Sequence, residues 1–129
     1  MAGVVLDASA VLAVLQGEPG AEPVEAVLGE AVISAVNHAE VVGKLYDRDV
    51  PAAAVETLLA SLALVIEPFD ADQALEAGAL RRATRTLGLS LGDRACLALA
   101  RVRGASVITL DRAWRSLDVG VTVTCVRPA

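Results

Sequence analysis

Four carboxylates stand where short apolar runs give way to helix starts. Asp7 follows Val4-Val5-Leu6, Glu40 lies six residues after Ser34, Asp93 lies three after Ser90, and Asp111 follows Ser106-Val107-Ile108-Thr109-Leu110. Small polar residues accompany them: Ser9 two positions after Asp7, Asn37 three before Glu40, Thr109 two before Asp111. Two carboxylates about 4 Å apart repel by roughly 4 kcal/mol at an effective dielectric near 20. Bringing three or four together therefore requires a positive partner among them. Oxygen donors without His or Cys suit a hard divalent ion, Mg²⁺ or Mn²⁺, which keeps several waters and completes its shell with substrate phosphate. Such an ion activates water and neutralises charge on a phosphoryl transition state. The implied chemistry is metal-assisted hydrolysis of a phosphodiester.

Each acid also has a plainer role. Asp7 and Asp111 suit helix N-caps, and Asp93 after Ser90 reads as an acidic capping box. Glu40 could pair with Lys44 one turn on, although Ala39, Val41 and Val42 surround it. His38 is the only histidine, so no Ser–His or Cys–His pair competes for the chemistry. Arg112 and Arg115 flank the last acid and are candidates for substrate phosphate contact, while Arg81, Arg82 and Arg85 share one helix whose solvated face explains them equally well.

The elements that must position these residues alternate in type. Strands are expected over 4–6, 31–33, 65–66, 106–110 and 121–126. Helices are expected over 9–15, 23–28, 35–47, 51–64, 70–87, 90–103 and 112–117. Gly17, Gly88 and Gly104 serve as stops, and Ser34, Asp70 and Ser90 as caps. Short, nearly all-apolar strands between helices mark a parallel sheet covered on both faces, an α/β three-layer sandwich. In such sheets ligands bind beyond the carboxyl ends of the strands. Asp7 and Asp111 sit at two such ends, and adjacency of their strands would bring the four acids to one pocket.

Composition narrows the classes. The 129 residues, 1–129, fit one domain. Apolar residues make up 55 % and aromatics 2 %, so the core is aliphatic. The net charge of −5 excludes a nucleic-acid binder held by overall positive charge. The charge is uneven: residues 1–75 carry 2 basic and 12 acidic side chains, residues 76–129 carry 9 and 4. This split suits either a charged groove or simple solubility with surface ion pairs. Cys96 and Cys125 match no metal spacing and read as buried free thiols in a reducing compartment. The stretch before residue 17 contains Asp7 and no basic leader, and no apolar run approaches the ~18 residues of a membrane helix, so a cytoplasmic protein is expected.

Four stretches taken in order resemble the PIN-domain family, and within it the VapC-type toxins. They are Val4-Val5-Leu6-Asp7-Ala8-Ser9-Ala10, Ser34-Ala35-Val36-Asn37-His38-Ala39-Glu40-Val41, Ser90-Leu91-Gly92-Asp93-Arg94-Ala95 and Ile108-Thr109-Leu110-Asp111-Arg112-Ala113-Trp114. The resemblance implies strand order 3-2-1-4-5 and a Mg²⁺- or Mn²⁺-dependent endoribonuclease. It implies a toxin that dimerises and is silenced by a VapB-type antitoxin. It places Asp7, Glu40, Asp93 and Asp111 in the catalytic, metal-binding site, with Ser9, Asn37 and Thr109 orienting carboxylates or waters. Two other readings use the same features. A non-catalytic interaction module of this fold would keep the acids without binding metal. A phosphoacceptor receiver-type domain shares the length and the strand-end Asp, but Lys44 is the only lysine and Glu67-Pro68 stands where an acceptor Asp belongs. A narrower variant keeps the fold and makes DNA the substrate, and the residues do not discriminate strongly between the two.

Overall fold

The computed structural model describes residues 3–128. Strands β1 (Val4–Leu6), β2 (Ala31–Ser34), β3 (Val65–Glu67), β4 (Ser106–Thr109) and β5 (Val123–Cys125) form one five-stranded sheet in the order β3-β2-β1-β4-β5. Every pair is parallel, with Val4 opposite Ala31 on one side and Ser106 on the other. The order expected from the resemblance is the one found. It also disposes of the receiver-type reading, whose sheet sets β1 between β2 and β3; here β1 lies between β2 and β4.

Helices α1 (Ala8–Gln16), α2 (Ala21–Glu25), α3 (Ala35–Asp47), α4 (Ala52–Leu62), α5 (Ala71–Thr84) and α6 (Leu91–Arg103) connect the strands. Side chains alternate across a strand, so each central strand feeds two cores. Leu6, Ile33 and Ile108 pack with Val11, Val41, Leu45 and Val55 on one face. Val5, Val32 and Val107 pack with Ala77, Leu80, Leu97, Leu99 and Trp114 on the other. Burial on both faces is why these strands read as continuous apolar runs.

Local chemistry sets the element ends. Ser34 accepts from the Val36 N–H to start α3, and Asp70 accepts from the Gln73 N–H to start α5. Gly104 closes α6 at φ 65°, a conformation that costs a residue with a Cβ. The second helix begins two residues before the expected start, because Pro23, lacking an N–H, is accommodated within its first turn. Residues 85–87 continue α5 as a 3₁₀ turn, and Arg112–Ser116 is 3₁₀ as well. β4 stops at Thr109, one residue short of expectation, because the Leu110 N–H turns to the Ser9 hydroxyl. Cys96 is buried as expected and Cys125 only half-buried; both thiols are free. Among the described residues no helix is long and apolar enough to cross a membrane.

Candidate active site

Asp7 ends β1 and caps α1, and the adjacency of β1 and β4 decides its surroundings. Its Oδ1 accepts from the Ser9 hydroxyl at 2.7 Å and the Ala10 N–H at 3.0 Å. Its Oδ2 accepts from the Thr109 hydroxyl at 2.5 Å. The side chain is only 6 % exposed. Burial pushes its pKa up from 3.8 to about 6, against the pull of these hydrogen bonds, and the charge of Asp93 adds to the rise. Asp7 is therefore both a helix cap and a desolvated acid short of positive charge.

Ser9 and Thr109 lock that acid to the end of β4. The Ser9 Oγ accepts from the Leu110 N–H at 3.0 Å, and the Thr109 Oγ1 accepts from the Asp111 N–H at 2.9 Å. The Asp111 carboxylate is exposed and accepts from the Ala113 N–H, starting the 3₁₀ turn.

Glu40 and Asp93 come from the packing of α3 against α6. The Asn37 side-chain amide donates to Glu40 Oε1 at 2.8 Å and to the Gly92 carbonyl at 2.9 Å. Asn37 is buried, and its Oδ1 has no hydrogen-bond partner. A Cβ at position 92 would run into the Glu40 carboxylate, so glycine there leaves that carboxylate its place against α6. Glu40 is exposed and forms no ion pair with Lys44. Asp93 makes the expected capping box: its Oδ2 accepts from the Ser90 N–H at 3.0 Å and its own N–H donates to the Ser90 Oγ at 3.1 Å. The N-terminal end of α6 favours negative charge at both acids.

The charges of Asp7, Asp93 and Glu40 all bear on one group, the fully buried Cys96 thiol, whose pKa rises first from burial and then from these three neighbours. A thiol so disfavoured as thiolate is no metal ligand. The available donors are oxygens, the set that fits a hard divalent cation. The burial penalty on Asp7 and the unpartnered Asn37 Oδ1 fit the same ion. Among the described residues, however, no three Asp, Glu, His or Cys side chains are gathered into a finished metal cage. Asn37 holds Glu40 at Oε1 and Ser90 holds Asp93 at Oδ2, so among the described residues the second oxygen of each acid has no protein donor.

Beside the acids runs a cleft of about 450 Å³, walled by Ser9, Asp111, Arg48, Arg112 and Arg127. Arg112 donates to the Pro128 carbonyl. Arg115 is exposed and outside the walls. Sequence reading missed Gly92, Arg48 and Arg127. The lone glycine in the first turn of a helix was a readable signal for Gly92; nothing local marks the two arginines.

A parallel 3-2-1-4-5 sheet with acids at its carboxyl edge defines a class, and the family comparison agrees: the chain matches the PIN domain over residues 4–120 and belongs to that family. It is 34 % identical over 135 residues to VapC ribonuclease Mb2780c of Mycobacterium bovis, covering 97 % of this chain and 98 % of the relative. The same figures hold for ribonuclease VapC42 of Mycobacterium tuberculosis. Its fold resembles that of VapBC2 from Rickettsia felis bound to a promoter DNA fragment, with a TM-score of 0.77 at 15 % identity, covering 95 % of this chain and 97 % of that one. DNA-bound VapBC from Salmonella typhimurium gives 0.70 at 19 % identity, covering 97 % and 98 %.

Proposed function

We propose that this chain is a Mg²⁺- or Mn²⁺-dependent endoribonuclease, the toxin of a VapBC-type pair, silenced by a VapB-type antitoxin. The observation that carries the reading is the desolvated Asp7 carboxylate, fixed by Ser9 and Thr109 and sharing one locus with Asp93 and Glu40. The VapC ribonuclease relatives support the reaction, and the VapBC complexes among the structural neighbours support the partner.

Asp7 and Asp93 would hold the cation directly. Glu40, steadied by Asn37, would bind it or take the proton of the attacking water, and Asp111 would hold a water at the open side. Bound there, the ion supplies a more acidic water and countercharge for the phosphoryl group. Ser9 and Thr109 keep Asp7 oriented throughout, and Arg112 contacts substrate phosphate. Both thiols being free suits a cytoplasmic protein. A homodimer is part of the proposal: Val65 and Ile66 of the edge strand β3 are about half exposed, beside an apolar hollow formed by Leu59, Leu62 and Leu64.

The test is cleavage of labelled RNA by purified protein with Mg²⁺ and with EDTA. Asp7→Asn should lose activity by about a hundredfold or more while remaining folded. Undiminished cutting by that variant, or in EDTA, refutes the reading. That no three possible ligands are gathered among the described residues favours the non-catalytic module instead; calorimetry showing no Mg²⁺ or Mn²⁺ binding would decide for it.

A further inference from the structure

The cleft beside the acids gathers arginines from three distant segments of a chain whose net charge is −5. Arg48 stands at the end of α3, Arg112 just after β4, and Arg127 just after β5. Its apolar wall is Leu12 and Leu110, and it shares Ser9 and Asp111 with the acidic centre. Its volume, about 450 Å³, falls in the range of pockets that enclose one small ligand. A second hollow of about 340 Å³ continues it past Arg112, Arg127 and Pro128. This is the shape of a groove with a polar end and an apolar side.

The positive charge there is available. Arg48 meets Glu18 at 3.7 Å, with both side chains about two-fifths exposed, 43 % and 41 %, and such pairs contribute little. Arg112 is oriented by the Pro128 carbonyl and has no ion pair among the described residues. Arg127 has no ion pair among the described residues.

We infer that this groove seats the RNA strand next to the bond being cut: Arg48 and Arg127 hold a flanking phosphate, Leu12 and Leu110 bear on the ribose or base, and Glu18 competes for Arg48 until the strand displaces it. The inference rests on the nuclease reading and adds to it the residues that hold the strand. Arginine suits the task because its planar donors match phosphate oxygens in pairs. The chain's overall negative charge then makes binding local, and Glu18 sets its strength.

The experiment is fluorescence-anisotropy binding of a labelled single-stranded oligoribonucleotide in EDTA, as a function of salt, with no cleavage needed for the readout. The double variant Arg48→Ala/Arg127→Ala should bind about tenfold more weakly and lose roughly 0.7 from the salt slope, the value for one single-strand phosphate contact. Glu18→Gln should bind about threefold more tightly. Arg81→Ala/Arg85→Ala, on α5 and the 3₁₀ turn that continues it, should match the parent. Parent-like affinity and slope in the first variant, weaker binding by Glu18→Gln, or no binding by the parent overturns the inference. If Asp7→Asn abolishes cleavage while the arginine variant binds normally, the groove assignment falls and the nuclease reading stands. If the arginine variant binds poorly while Asp7→Asn still cuts, the reverse holds.

Discussion

The Thr109 hydroxyl donates to Asp7 Oδ2 at 2.5 Å and accepts the Asp111 N–H at 2.9 Å, joining two acids that are 104 positions apart through one oxygen. Thr109 is fully buried, so bulk water does not replace that donor. Thr109→Val keeps the shape and removes the hydroxyl, leaving the Asp7 carboxylate and the Asp111 N–H short of a partner. A loss of about 1–3 kcal/mol is expected, read by chemical denaturation, together with weaker cleavage. Thr109→Ser should recover most of both.

Asp7 makes stability depend on pH. Its folded pKa, about 6, lies above the ordinary 3.8, so the native state holds the proton more tightly than the unfolded chain. The resulting stabilisation is complete below pH 4 and is lost as pH rises through 6. At full effect it amounts to roughly 3 kcal/mol. Thermal unfolding in EDTA should show this component as a decline between pH 4 and pH 7 that is absent in Asp7→Asn. Near pH 7.5 the metal-free variant should be the more stable protein.

Adding Mg²⁺ reverses the sign of that comparison. A cation at Asp7 competes with the proton, so the stabilisation by Mg²⁺ should be large at pH 7.5 and small at pH 5. Asp7→Asn should respond weakly at both. Equal Mg²⁺ responses in parent and variant would place the cation elsewhere.

Gly92 and Asn37 both border the Glu40 carboxylate. An alanine at 92 would ordinarily strengthen a helix by about 0.5–1 kcal/mol, but its Cβ meets the Glu40 carboxylate. Because that carboxylate ends a flexible side chain, Gly92→Ala should fold and displace it. Asn37→Ala releases it by removing the bond at Oε1. Both variants should lose about 10- to 100-fold in activity or metal affinity, with kcat falling more than KM. Wild-type kinetics in both would mean that the position of Glu40 is immaterial.

The sheet was legible because its central strands are buried on both faces and their apolar runs end on Asp7 and near Asp111. Ser34, Asp70 and Ser90 were legible because capping is local, a matter of three residues. The site was legible only in part. The sequence places acids at strand ends, but it says nothing of where a carboxylate points, and Asp111 turns outward to cap its own helix while Asp7 turns inward. Arg48 and Arg127 meet only because α3 and the tail after β5 end near the same edge. No spacing rule encodes that meeting.

The paired bonds between Ser90 and Asp93 tie backbone order to the state of the acids. Any demand that draws the Asp93 carboxylate outward takes the acceptor from the Ser90 amide and loosens the opening turn of α6. Amide hydrogen exchange at that turn would therefore quicken when the centre fills and slow when it empties. On the proposed metal site, the helix start would report occupancy without the substrate being followed at all.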